Sequence, residues 1–512
     1  MATRSYRSLA LVAAVGVFML SCTKNQKVEQ KSLRIHLPIV KMNLDPQKME
    51  DAYSMAVVSQ IHRGLLRYNN AGDVRADLAE SWTESPDHLS YKFKLKKATF
   101  SDGTAITATH VQMTFARLFF VGSSMAADID SIAGAASFKA NQNLADFGVK
   151  VLSSDTVEFR LSKPSAIFLM QLAVADCSIL RLADFKAEPS ISVAGSFSGP
   201  YKIVNDLKDN SLTIEKWRAD ALDSASPPVK ITYFMTDRSP MELALAGETD
   251  SLDHDRIEAE DKKKLESAGW ATAPTELAGE IFVVLNPATI PDKVRRVLYS
   301  SVDSKALFDA LERPSYKAAY GLIPFVLPGE LGPKDVAGLK LEVKPISGKR
   351  PSIQLDFEKT SDLEEKTAVL LQKLWTPLNI DVVLNPLPKG EKLQRLFGKK
   401  SQAIIARKGT DYPDGFSVLG YFKGNYESNY FYVDDKKIDQ ALLEVLQVFE
   451  PEKRVEGYKE IQKQILQHYT LIPLFFGSEA SGFWSSKVKT VPSHPLGSHT
   501  LPMESVEMGG SR

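Results

Sequence analysis

The hydrophobic period of this chain changes sharply between Tyr91 and Leu118. Tyr91, Phe93 and Leu95 alternate with Lys92, Lys94 and Lys96. A period of two places the apolar groups on one face and the ammonium groups on the other, which predicts a half-buried strand. Ser101-Asp102-Gly103 interrupts it with residues that supply turn geometry. Thr107 then stands as an N-cap, and Val111, Phe115 and Leu118 follow at helical spacing. Strand, tight turn and helix in direct succession point to a mixed α/β arrangement, and nothing in the stretch is catalytic.

The alternation continues. Strands are expected at 33–37, 149–151, 157–161, 212–216, 282–286, 353–357 and 379–383. Helices are expected at 54–66, 166–172, 241–250 (stopping at Gly247), 294–298 and 364–378.

The amino terminus has a different character. Arg4 and Arg7 precede an apolar run over 9–20 that ends at Ser21-Cys22. A charged segment and about a dozen apolar residues have the form of a secretory signal and are short for a membrane span. Met19-Leu20-Ser21-Cys22 resembles a lipoprotein cleavage box, so Cys22 is expected to carry a lipid. Residues 22–32 then form a polar tether. With Cys22 so used, Cys177 has no partner within the chain and is expected to be buried and inert. Lys plus Arg (63) equals Asp plus Glu (63), so no strong field recruits nucleic acid. The eight histidines form no His-Glu-x-x-His, and no phosphate-cradling glycine loop is present. Gly195-Ser196-Phe197-Ser198-Gly199 has Phe where a hydrolase elbow carries its nucleophile. Metal, cofactor and covalent catalysis are therefore not expected.

Leu78-Ala79-Glu80-Ser81-Trp82, Tyr91-Lys92-Phe93-Lys94-Leu95, Phe100-Ser101-Asp102-Gly103-Thr104 and Thr107-Ala108, in that order, resemble one known signature. It belongs to the extracytoplasmic peptide-binding subunits of ABC importers, the oligopeptide- and dipeptide-binding family (solute-binding protein family 5). Leu44-Asp45-Pro46, Gly64-Leu65-Leu66 with Tyr68, and the helix ending in Gly247-Glu248 extend the resemblance over 33–484. Trp217-Arg218-Ala219-Asp220 departs from the family's Asn-Pro-x-Tyr. The resemblance implies a two-lobed periplasmic-binding-protein fold of the hinge-closing type II, with an extra inserted subdomain. Residues 1–21 would be signal peptide, 33–60 and 181–278 the first lobe, and 61–180 the inserted subdomain. Residues 279–477 would form the second lobe, and 478–512 the return to the first lobe and a tail.

Thr410-Asp411-Tyr412-Pro413-Asp414-Gly415 is the most informative local segment. Its composition alone describes a turn. In the family a similar Asp-Tyr-x-x-Pro segment lies in the cleft, and its first Asp pairs with the α-ammonium of the bound peptide. The resemblance gives that role to Asp411, with Tyr412 and Asp414 beside it and Gly415 in place of the usual Pro. A carboxylate accepts charge-assisted hydrogen bonds from a group that every unblocked peptide has. Arg407 is a candidate for the far carboxylate, by similarity to the Ala-Arg-x-Gly of some members; it also reads, with Lys408, as a solvated charge pair. Tyr421, Phe422, Tyr426, Asn429 and Trp484 are candidate pocket residues, and Gly199-Pro200-Tyr201 a candidate for main-chain contacts with a peptide. The alternation of Tyr430 and Tyr432 equally fits a strand packing its own core.

The implied protein is a monomeric, lipid-anchored subunit in the periplasm or at the cell surface. It would capture peptides outside the cytoplasmic membrane and deliver them to an ABC permease. Other readings keep the fold and change the cargo to a nickel chelate, haem, an opine or an oligosaccharide, or make the chain a sensor or adhesion lipoprotein.

Overall fold

The computed structural model describes residues 31–37, 41–49, 51–219, 224–236, 238–252, 259–272, 279–311, 316–424, 429–477, 483–492, 496–497 and 501–509. The signal peptide, Cys22, nearly all of the tether and Tyr426 lie outside them.

Strand Ser90–Leu95 buries Tyr91, Phe93 and Leu95 and exposes Lys92 and Lys94, the alternation expected of it. It pairs antiparallel with Ala79–Glu84 and Thr156–Arg160, and Val149–Ser153 completes a four-stranded sheet. The turn that follows needs Gly103, whose φ of +86° is a conformation that a side chain would strain. Helix Ala108–Phe120 opens at Thr107, whose backbone N–H donates to His110 Nδ1 at 3.1 Å. The helix buries Val111, Phe115 and Leu118. It also carries Arg117, a fully buried guanidinium bound to Asp45 at 3.1 and 2.7 Å and to the Gln47 side chain at 2.8 Å. An uncompensated charge there would be strongly destabilising, which gives Leu44-Asp45-Pro46 a structural reason.

Around this subdomain stand two larger sheets. The first lobe has seven strands in the order Ala271–Thr272, Phe483–Trp484, Ser251–Leu252, Ser32–Leu37, Lys230–Met235, Ser211–Lys216 and Tyr201–Lys208. The second has six, in the order Tyr316–Ala318, Leu471–Gly477, Gly279–Leu285, Ala403–Lys408, Ser352–Glu358 and Asp381–Leu387. Sheet membership changes between Thr272 and Gly279 and again between Gly477 and Phe483. The fold is therefore α/β and two-lobed, of the hinge-closing type II.

Some elements are shorter than expected. The 54–66 helix is Ala52–Ile61, capped by the Asp51 carboxylate, and the 166–172 helix is the single turn Phe168–Gln171. No strand forms at 430–432, because Tyr432 takes a φ of +60°.

One apolar core holds the first-lobe sheet, with Leu33, Ile231, Tyr201 and Trp484 among its members. A second runs without a break from the inserted subdomain into the second lobe. The two bodies touch directly: Ala166 N–H donates to the Leu446 carbonyl at 2.7 Å, and the His88 and Phe449 rings stack at 3.8 Å. Among the described residues no helix is long and apolar enough to cross a membrane.

Candidate functional site

The site grows from the end of strand Ala403–Lys408, which lies antiparallel to Gly279–Leu285 with Lys408 opposite Glu280. Alternation along the strand sends neighbouring side chains to opposite faces. Arg407 Nε lies 3.3 Å from the fully buried Glu364 carboxylate, and its Nη2 donates to Ser361 Oγ at 3.0 Å. Lys408 instead lies over the Tyr421 ring, 3.1 Å from the centroid. Arg407 is thus engaged with the helix Asp362–Trp375 rather than with the Lys408 side of the strand.

Beyond the strand, the segment 410–415 turns into the short helix Phe416–Leu419. Asp414 makes this turn: it is 1% exposed and accepts from Tyr458 Oη at 2.5 Å and from Phe416 N–H at 2.9 Å. Arg454 Nε stands 3.7 Å away. Its oxygens are held inside the second lobe, so it serves the loop rather than a ligand. Gly415 replaces a proline because there is no room: a Cβ there would stand 2.6 Å from the Pro328 carbonyl oxygen. Asp411 N–H donates to Ser417 Oγ at 2.8 Å, which leaves the half-buried Asp411 carboxylate to accept from Tyr421 Oη at 2.6 Å. Among the described residues no ion pair engages that carboxylate within 4.0 Å.

Two carboxyl groups of the inserted subdomain couple to it electrostatically: Asp128, at the end of helix Met125–Asp128, and Asp176, in the 3-10 turn Ala175–Cys177. A Cβ on Gly420 would lie 3.7 Å from Asp128 Oδ1, so this carboxylate rests on the residue next to Tyr421. Burial raises the pKa of Asp128 to about 7; Lys423 opposes the rise and Asp411 adds to it. Burial, then the charge of Asp411, lifts Asp176 to about 8. Burial lowers Lys408 to about 8 against the pull of Asp411 and Asp128. Each shift has the sign that desolvation imposes on a charged group. Lys423 is engaged locally, 3.4 Å from the Ala127 carbonyl and 3.8 Å from Asp130.

Tyr412 lies in the same place, 1% exposed, with a hydroxyl that has no hydrogen-bond partner among the described residues. Gln171, fully buried, donates through Nε2 to the Asp128 carbonyl at 2.9 Å and leaves Oε1 without a donor. The remaining candidates pack. Phe422 stacks on Phe431 at 4.5 Å, and Asn429 Nδ2 ties the Val433 carbonyl at 2.6 Å. Trp484 lies in the first-lobe sheet opposite Ser251 and Ala271. Tyr201 is buried, with its hydroxyl on the Pro228 carbonyl at 2.9 Å. Cys177 is buried, and burial followed by Asp176 and Asp128 holds its thiol well above the ordinary range.

The structure therefore joins Asp411, Tyr412, Tyr421 and Lys408 to Asp128 and Asp176, which no local motif marks. Lys408 was visible beside Arg407, but only the register of its strand separates the two. Asp128 and Asp176 each feel the charge of Asp411, and Lys408 and Lys423 pull on Asp128 against it. Among the described residues no group of three His, Cys, Asp or Glu is placed to hold a metal ion.

Residues 73–430 match the middle region of the bacterial extracellular solute-binding proteins, family 5. The probable D,D-dipeptide-binding periplasmic protein DdpA of Escherichia coli is 23% identical over 466 residues, 84% of this chain and 86% of its own. The probable deoxycholate-binding periplasmic protein YgiS of the same organism is 25% identical over 477 residues, 85% of each chain. In fold, the Escherichia coli murein tripeptide binding protein MppA superposes with a TM-score of 0.78 at 18% identity, over 93% of this chain and 98% of its own. The match over 73–430 spans most of the sequence, and the chain belongs to the bacterial extracellular solute-binding proteins of family 5, which bind their ligands and are not enzymes.

Proposed function

We propose that this protein captures peptides outside the cytoplasmic membrane, holds their α-ammonium at Asp411 between the two lobes, and delivers them to an ABC permease. The observation that carries the reading is the half-buried Asp411 carboxylate, which accepts from Tyr421 Oη at 2.6 Å and has no ion-pair partner within 4.0 Å among the described residues. An α-ammonium is the one cation common to all unblocked peptides, and a partly desolvated carboxylate holds it by charge-assisted hydrogen bonds. The names of relatives that bind a dipeptide and a murein tripeptide support the same class of cargo. The deoxycholate-binding relative offers a contrast. A bile-acid carboxylate would meet the Asp411 carboxylate instead of an ammonium partner for it, and like charges at close range repel.

In this reading the first lobe, the inserted subdomain at 61–180 and the second lobe at 279–477 move about the two crossings. Ligand selects the closed state by binding it better than the open one. Cys22 carries the lipid that keeps the monomer at the membrane. Mass spectrometry of small molecules released from protein purified under native conditions tests the cargo. Unblocked peptides are the expected result, and recovery of a steroid, a metal chelate or a sugar in stoichiometric amount would overturn it.

A further inference from the structure

We infer that the ligand carries a second cationic group beside its α-ammonium, received by Asp128 and Asp176, so that the favoured peptides begin with a residue bearing an ammonium or guanidinium side chain. The inference rests on the assignment of Asp411 to the α-ammonium and adds a preference at the first residue.

Charge balance is the first argument. Lys423 is answered by Asp130 at 3.8 Å, and Arg407 is turned to Glu364 at 3.3 Å. What remains is Asp128, Asp176 and Asp411 against Lys408 and the pull that Lys423 still exerts on Asp128. An α-ammonium reduces that imbalance and does not remove it. Desolvation lifts Asp128 to about 7 and Asp176 to about 8, so a cation that reaches them favours their ionised forms and gains two charged partners.

The second argument is independent of charge. Gln171 is wholly buried and anchored by its Nε2 to the Asp128 carbonyl at 2.9 Å, yet its Oε1, an acceptor, has no donor among the described residues. Tyr412, 1% exposed, has a hydroxyl without a partner among the described residues, and it feels the charges of Asp128, Asp414 and Asp411. An unsatisfied buried polar atom is costly, so a ligand N–H that reaches these atoms gains by relieving it. Ammonium and guanidinium groups are donors only, which suits a pocket of carboxylates and a free amide oxygen.

Connectivity places the second cation. In a peptide whose first residue is lysine, ornithine or arginine, the side chain leaves the carbon that bears the α-ammonium. Of all the side chains of the ligand it is therefore the one held closest to Asp411. Asp128 and Asp176 lie on the inserted subdomain, so they meet this side chain only when the subdomain and the second lobe are together.

Calorimetry on the full chain with three tripeptides that share their last two residues and begin with lysine, norleucine or glutamate tests this. The lysine peptide is expected to bind at least about tenfold more tightly than the norleucine peptide, and the glutamate peptide more weakly than either. In Asp128→Asn/Asp176→Asn the lysine-to-norleucine ratio should fall below about threefold, whereas Asp128→Glu, which keeps the charge, should retain most of the preference. Circular dichroism establishes that each variant is folded. Equal affinities for lysine and norleucine peptides, or a ratio that survives the double substitution, would overturn the inference and leave the peptide reading standing. If none of the three binds, the peptide reading falls and this preference falls with it.

Discussion

Asp411→Asn keeps the shape of the side chain and removes its charge. The amide oxygen can still accept from Tyr421 Oη, now at 2.6 Å, and the backbone bond to Ser417 is untouched, so the loop should keep its form. The size of the effect follows from the surroundings. An exposed ammonium–carboxylate pair is worth about 1 kcal/mol or less, whereas breaking a desolvated, hydrogen-bonded pair costs about 2–5 kcal/mol. Asp411 is half-buried beside Tyr412, which is 1% exposed, and this places it in the second regime. Asp128 and Asp176 offset part of the loss: both are held protonated in part by Asp411, and with that charge gone they ionise more readily. The expected cost is therefore at the low end, about 2–3 kcal/mol, or roughly 30- to 150-fold in affinity. Calorimetry with one peptide in unblocked and N-acetylated forms isolates the term. Wild type should prefer the unblocked form by about that factor, and Asp411→Asn should bind the two within a few-fold of each other. If Asp411→Asn binds the unblocked peptide as tightly as wild type, Asp411 is a turn residue and the anchor assignment is wrong.

Four further outcomes are expected. Lys408→Met removes the cation over Tyr421 that competes for Asp411, and should tighten binding of unblocked peptides by about three- to tenfold; weaker binding would mean that Lys408 itself contacts the ligand. Asp414→Ala takes the acceptor from Tyr458 and Phe416 and the carboxylate from Arg454, so it should cost about 2–4 kcal/mol, and a urea midpoint equal to that of wild type would show the network to be idle. Asp128 keeps its proton to about 7 in the folded chain, among Lys423, Asp411, Lys408 and Asp130, and loses it near pH 4 when unfolded. Folding takes up a proton between those values, so stability falls as pH rises through that window. Asp128→Asn should then raise the thermal midpoint by roughly 1–3 °C above pH 7 and leave it unchanged below pH 4; a shift of the same size at both ends would refute the linkage. Cys22→Ser should move the protein into the soluble fraction and abolish labelling by a radioactive fatty acid, and label that persists would exclude lipidation at Cys22.

The sequence by itself determined the local elements and the family. Strand Ser90–Leu95, the turn at Gly103 and the helix that Thr107 opens were legible because period, turn chemistry and capping act over a few residues. Asp411 was legible as a candidate through its motif, and the buried state of Cys177 through the count of cysteines. Tertiary structure decided the rest. It turned Asp414 inward to Tyr458, set Phe422 on Phe431, placed Trp484 in the first-lobe sheet, and parted Arg407 from Lys408. That last distinction depends on which face of a strand is buried, a matter of sheet register and not of the residues themselves. It also brought Asp128 and Asp176 to Asp411. Asp128 ends a one-turn helix, Asp176 lies in a 3-10 turn and Asp411 in a loop, far apart along the chain, and nothing local marks them as partners. Their coupling is electrostatic, acts through space, and exists only where the inserted subdomain packs on the second lobe and excludes the water that would screen it.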